Sequence, residues 1–214
     1  MSLLFALLVL CSSYSFSLPK TIQVSCSESD ADIYIDGKQS GVGSIEITLK
    51  KWECRTIRFE KVGFKVKEVR YCNDKVTRLQ KSYYIELAPD EAYNSSSQNA
   101  LANTNFEVRT DKSEDEAWKL ISQIVMEYND IPEVIDGKTG YMRTGWDYRS
   151  FNSGTVRTRI IVRQFPTDNV GFKIKIVSEF SSKTDTKDDE EFEAWNRILR
   201  KYENLIPEVQ SRVK

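Results

Sequence analysis

Histidine is absent from all 214 residues of this chain, which removes the commonest general base near neutral pH and the commonest metal ligand. The absence argues against a triad hydrolase or a zinc enzyme and leaves carboxylate and lysine chemistry open to any catalyst. An excess of either charge is lacking as well. There are 31 Lys and Arg against 32 Asp and Glu, a net charge of −1 and a pI near 5.8. That balance disfavours whole-chain attraction to nucleic acid or to an anionic membrane, so any electrostatic function must be local. No apolar run approaches the ~20 residues that span a bilayer, so no transmembrane span is expected in the mature chain.

The longest such run, Leu3 to Leu10, is followed by Cys11, Ser12, Ser13, Ser15 and Ser17. It reads as a secretory signal peptide over residues 1–17, with Ser15-Phe16-Ser17 as the small-x-small cleavage pattern. A second reading is a lipoprotein signal acylated at Cys11, although Leu10 stands where a small residue is expected. Either way the chain is expected to be exported, to periplasm, cell surface or medium. The remainder, with 40% apolar residues overall, is long enough for two modest domains, each with its own core.

From Thr21 to Leu87 short alternating segments are separated by turn residues: Thr21 to Cys26, Asp32 to Ile35, Ser44 to Leu49, Cys54 to Glu60, Lys65 to Tyr71 and Val76 to Leu87. This spacing predicts an all-β sandwich. Its clearest turn is Asp36-Gly37-Lys38, where Gly37 can take the positive φ that reverses the chain. The stretch ADIYIDGKQSG (Ala31 to Gly41), the strand Ile45 to Leu49 and the stretch ECRTIRFEKVGF (Glu53 to Phe64) together resemble a PEGA domain over residues 20–89. The resemblance implies a small β-sandwich found in extracellular and cell-surface proteins, an accessory interaction module without catalytic residues. The turns depart from the family's usual form at Val42-Gly43-Ser44 and Trp52.

Export makes a disulfide permissible, and Cys26, Cys54 and Cys72 all lie in this module. Cys26 shares the inward parity of Ile22 and Val24, whereas Cys54 and Cys72 would face one another outward across a hairpin turning near Gly63. A Cys54–Cys72 bridge with Cys26 as a buried thiol is therefore expected. The alternative is three reduced small hydrophobes.

Residues 90–105 are rich in Ser and Asn, lack periodic apolar positions and read as a linker. Residues 106–214 are expected to form an α+β domain of order β-α-β-β-β-α, an antiparallel sheet with two helices on one face. Its first helix begins at a capping box, Ser113 to Glu116, and buries Ala117, Ile121, Ile124 and Tyr128. Strands follow at Gly140 to Tyr148, Thr155 to Phe165 and Val170 to Phe180, then a helix from Asp188 to Asn204. This order is similar to the helix-grip domains of lipoproteins in outer-membrane protein assembly, a topological likeness that transfers no residues. Two short echoes, Glu116-Ala117-Trp118 with Glu193-Ala194-Trp195 and Ile131 to Val134 with Ile206 to Val209, fit either a duplication or similar core demands.

With Ile160, Val162, Phe172, Ile174 and Ile176 turned toward the helices, the opposite sheet face carries Arg157, Arg159, Arg163, Lys173 and Lys175. Arg143, Tyr141, Asp147 and Glu179 join it. Such a face suits the phosphate or carboxylate groups of an acidic glycan, a lipid headgroup or an envelope protein. The other reading is a solvated sheet face kept soluble by its charges. Trp52, at a turn, is either an exposed contact or a lid over the sandwich end, and Trp118, Trp146 and Trp195 are expected in the core. The acidic run Asp185 to Glu191 lacks the turn glycine of a calcium loop and suits a helix N-terminus. No metal or cofactor is expected. For a hydrolase, Asp136 and Asp147 with Tyr141 are the carboxylate positions to inspect. The resulting expectation is a non-catalytic binding protein of the cell envelope, with a structural subunit of an envelope assembly or a carboxylate-dependent glycan hydrolase as alternatives.

Overall fold

A computed structural model describes residues 19–165 and 170–214. The expected signal peptide, Cys11 and the turn at 166–169 lie outside them. The chain divides into two compact units, the first running to Val62 and resuming over Val66–Leu87, the second comprising Gly63–Lys65 and Ala88–Lys214.

The first unit is all strand: β1 (Lys20–Cys26), β2 (Asp32–Ile35), β3 (Lys38–Val42), β4 (Ser44–Leu49), β5 (Cys54–Glu60), β6 (Lys67–Cys72) and β7 (Ser82–Ile85). They form one sheet in the order β6-β5-β2-β3-β4-β1-β7. Asp36 and Gly37, with φ of 48° and 84°, make the two-residue turn between β2 and β3, the left-handed pair whose twist suits a tight hairpin. β3 was not expected as a strand, because its solvated sequence KQSGV has almost no buried side chain to set an alternation. The expected strand from Val76 to Leu87 contracts to β7, and residues 73–81 are irregular. Ile22, Val24, Ile33, Leu49, Ile57 and Phe59 fill the core. Cys54 and Cys72 are direct cross-strand partners and are joined by a disulfide, while Cys26 is a buried free thiol.

The second unit contains α1 (Glu91–Asn94), β8 (Ser96–Gln98), β9 (Asn105–Thr110), α2 (Glu114–Tyr128), β10 (Pro132–Asp136), β11 (Tyr141–Thr144), β12 (Asp147–Phe151), β13 (Gly154–Phe165), β14 (Val170–Ser181), β15 (Glu193–Ala194), β16 (Arg197–Leu199) and α3 (Leu205–Val213). Short 3-10 turns occupy Asp189–Glu191 and Arg200–Tyr202. The long antiparallel pair β13 and β14 is the spine. β11 and β12 share the outer edge of β13, β10 extends β11, and β9 and β15 share the outer edge of β14. Ala117, Ile121, Ile124 and Val125 of α2 and Leu205, Ile206, Val209 and Val213 of α3 join one buried cluster with Ile160, Val162, Phe172, Ile174 and Ile176.

Three expectations are corrected here. The supposed linker 90–105 is ordered structure: Ser96 is fully buried, β8 pairs with β16, and Arg197 donates to Ser96 Oγ and to the carbonyls of Tyr93 and Ser96. Its Asn103 donates its side-chain amide to the carbonyls of Ser178 and Trp195 instead of solvating a tether. The helix expected over 188–204 is replaced by β15, β16 and two 3-10 turns, with the helix displaced to α3. There the backbone finds sheet partners, Trp195 N–H donating to the Ser178 carbonyl, so edge pairing overrides helical spacing. Finally, the single strand expected from Gly140 to Tyr148 breaks at Gly145-Trp146 into β11 and β12.

Candidate functional site

The register places the expected cationic residues as follows. Tyr141 lies across from Arg163, which lies across from Lys173. Arg143 lies across from Ile161, which lies across from Lys175. These positions, with Arg157, Arg159 and Glu179, share the face away from the helices. Asp147 does not. The break at Gly145 slips the pairing by one residue so that Asp147 opposes Thr158, and a one-residue slip changes faces. Its carboxylate accepts a hydrogen bond from the Tyr202 hydroxyl at 3.0 Å and pairs with Lys201 at 2.5 Å.

Much of this cationic face is internally neutralised. The Arg157 side chain is only 6% exposed. Its guanidinium lies 4.2 Å from the Trp146 ring centre and 4.1 Å from that of Phe192. It bonds Glu179 at 2.6 Å and also pairs with Asp189. Burial works against the Arg157 charge, but the bonds from Asp189 and Glu179 outweigh it and hold its pKa above the usual arginine value. Arg143 pairs with Glu133 at 2.6 Å and Lys173 with Glu107 at 3.3 Å. Arg159 stacks 4.0 Å from the Trp146 ring centre. Trp146, expected in the core, therefore covers two arginines on the outer face, whereas Trp118 and Trp195 do pack against the core. Among the described residues of this face, Arg159, Arg163 and Lys175 have no ion pair.

The acidic run is likewise occupied. Asp188 caps its own 3-10 turn, Asp189 holds Arg157, and Glu191 accepts from Lys183 and Thr186. Asp136 accepts from the Thr139 hydroxyl and from the Lys138 and Thr139 amides, which hold its carboxyl below the usual range. Each carboxylate considered for hydrolysis thus has a structural partner. Among the described residues no cluster of acidic or cysteine side chains is arranged to hold a metal.

A different cationic surface lies at one end of the first unit. β1 begins at Lys20 opposite Leu49, where β4 ends, and β5 begins at Cys54 opposite Cys72, where β6 ends. The connections 50–53 and 73–81 therefore gather at the same end. Trp52 sits in the first of them, 57% exposed, with a left-handed φ of 67°. Its amide donates to the Asn73 carbonyl at 2.7 Å, and buried Asn73 donates its side chain to Leu49 at 3.1 Å and its amide to Glu53 at 2.8 Å. These three bonds, beside a disulfide, hold the backbone of the turn at an angle that bulky residues avoid, with the indole exposed.

Lys51 and Lys75 each place an ammonium 5.8 Å from the Trp52 ring centre. A concavity of about 130 Å³ beside the ring is lined by Lys20, Lys51, Trp52, Asn73, Asp74 and Lys75, and a neighbouring one by Lys20, Leu79, Gln80 and Lys81 among others. Among the described residues, Lys20, Lys50, Lys51, Lys75, Arg78 and Lys81 form no ion pair. The two acids nearby are engaged by backbone. Asp74 accepts from the Thr77 and Val76 amides, and Glu53 accepts from the Lys50 amide and pairs with Arg55; these bonds hold both carboxyls low.

The candidate contact Trp52 was visible in the sequence, but its cationic surroundings were not. They come from three separate stretches, and the signal that assembles them is the Cys54–Cys72 pairing combined with the strand ends. Compared with known proteins, the chain matches no family model and no curated protein.

Proposed function

We propose that this chain is an exported, non-catalytic binding protein of the cell envelope, with a PEGA-like accessory module, that holds acidic material at the Trp52 end of its first unit. The observation that carries the reading is the exposed Trp52 with Lys51 and Lys75 over its ring and Lys20 in the same concavity, three lysines without an ion pair among the described residues. Opposed lysines on a fixed scaffold raise the local potential even in a chain of net charge −1. The disulfide supports residence outside a reducing cytosol. No helix of the described residues is long and apolar enough to cross a membrane.

The test is chromatographic. At neutral pH a protein of pI near 5.8 should pass a cation exchanger, yet a local patch of this kind should retain it until salt screens the contact. Lys51→Glu with Lys75→Glu should move elution to distinctly lower salt. Flow-through of the unsubstituted protein at low salt would remove the proposal.

A further inference from the structure

We propose that the Trp52 end docks on the surface of an anionic lipid bilayer, with the indole and Val76 at headgroup depth and the surrounding ammonium groups on lipid phosphates. The inference rests on the reading of this end as an acidic-ligand site and names the ligand.

Three observations favour a surface over a small ligand or a soluble polymer. The concavity beside Trp52 measures about 130 Å³ and the adjoining one about 210 Å³, each below the ~300–1,000 Å³ of a small-molecule pocket. The end therefore offers a shallow contact and encloses nothing. Second, its cations come with apolar side chains turned outward: Val76 is 93% exposed and Trp52 57%. A soluble acidic polymer would use the lysines and leave Val76 without a role, whereas the water–bilayer boundary accepts an amphipathic indole, an aliphatic tip and cationic groups together. Third, the cations are suited to a layer of charge. Lys20, Lys51, Lys75 and Lys81 spread around two adjoining concavities instead of converging on one point. Their long stems can lie along apolar surface while the ammonium groups reach phosphate.

The shape of the turn fits this role. Trp52 occupies a left-handed backbone position that glycine would adopt without strain, and the hydrogen bond its amide donates to the Asn73 carbonyl holds the backbone there. The exposed ring is thus carried on a turn whose backbone is set before any contact is made, and little backbone freedom is lost on docking.

The experiment is co-sedimentation of the full chain with phosphatidylcholine vesicles, with and without phosphatidylglycerol, alongside retention on soluble dextran sulfate. Any contribution from the apolar run Leu3 to Leu10 is common to both vesicle types. A surface lysine adds about fivefold to binding of an anionic bilayer, so Lys51→Gln with Lys75→Gln should lower partitioning about thirtyfold. Lipids brominated near the headgroup should quench part of the tryptophan emission, and Trp52→Phe should remove that part. Equal binding to neutral and anionic vesicles would overturn the inference. So would binding of dextran sulfate without the anionic vesicles, in which case the acidic-ligand reading stands with a soluble polymer as ligand. Binding to neither would end both.

Discussion

The outer sheet face of the second unit and the Trp52 end of the first carry similar numbers of cations and differ in what those cations do. On the sheet, Arg143, Arg157 and Lys173 each meet a carboxylate, from Glu133, from Glu179 and Asp189, and from Glu107. At the Trp52 end the nearby carboxylates are engaged by backbone amides or by Arg55, and the lysines face water. Strand pairing explains the difference. A sheet face brings residues from distant parts of the chain into fixed rows, where opposite charges across strands stabilise one another. Turns at a sheet end impose no such rows, so their charges stay available. Counting arginines and lysines therefore does not measure a binding surface; counting those without partners comes closer.

The comparison can be tested hardest at Arg157. Arg157→Ala should lower the stability of the second unit by about 3 kcal/mol, because it strands Glu179 and leaves space between Trp146 and Phe192. Arg163→Ala, on the same face, should stay within about 0.5 kcal/mol. Urea titration of both would show whether the two arginines differ as their pairing does; equal effects would break the distinction.

Reduction of the Cys54–Cys72 bridge, which spans 18 positions, should destabilise the first unit by about 3 kcal/mol. The second unit contains no cysteine, so its unfolding transition should not move. Calorimetry with and without reductant would show whether only one transition shifts.

An alkaline titration reaches the same unit by another route. Burial, and next the neighbouring Tyr83, push Tyr71 up to about 12. The neutral ring therefore contributes fully below about pH 10, and that contribution is lost as pH rises through the folded value. The melting temperature of the first unit, followed by thermal melts at stepped pH, should fall across this window.

A smaller change, and of opposite sign, is expected from Trp52→Gly, which should raise stability by about 0.5–1 kcal/mol by relieving the left-handed turn while weakening bilayer binding. A variant both less stable and equally adherent would show that the indole serves the fold.

Local pattern carried most strands of the first unit, though not β3, together with the disulfide and α2 into view because each is set by near neighbours. Cys54 and Cys72 follow from parity along two strands of one hairpin, and α2 follows from a capping box and a buried stripe. The failures came where distant partners decide. Ile-Pro-Glu-Val enters strand β10 at residues 131–134 and helix α3 at 206–209, and Glu-Ala-Trp is helical at 116–118 but belongs to a sheet edge at 193–195. The same few residues take opposite structures because one copy meets an open strand edge and the other does not. Parity placed Arg157 on the correct face, but nothing local revealed that Trp146, Phe192 and Asp189 would enclose it. Asp147 was misplaced by the single slip at Gly145, and the Trp52 end remained scattered until strand pairing assembled it.

Cys26 adds a consequence for the lifetime of the protein. Its thiol is 7% exposed and donates to the carbonyls of Glu28 and Gly43, so in the native state it has little access to the Cys54–Cys72 bond. Opening the first unit frees that thiol in the same chain as a disulfide it can attack, and exchange would leave Cys26 joined to Cys54 or to Cys72. Heating should then become irreversible soon after the first unit opens, so durability depends on the opening rate more than on the folding equilibrium. The buried sulfur of Cys26 thus acts as a timer, and Cys26→Ser should make the same transition reversible.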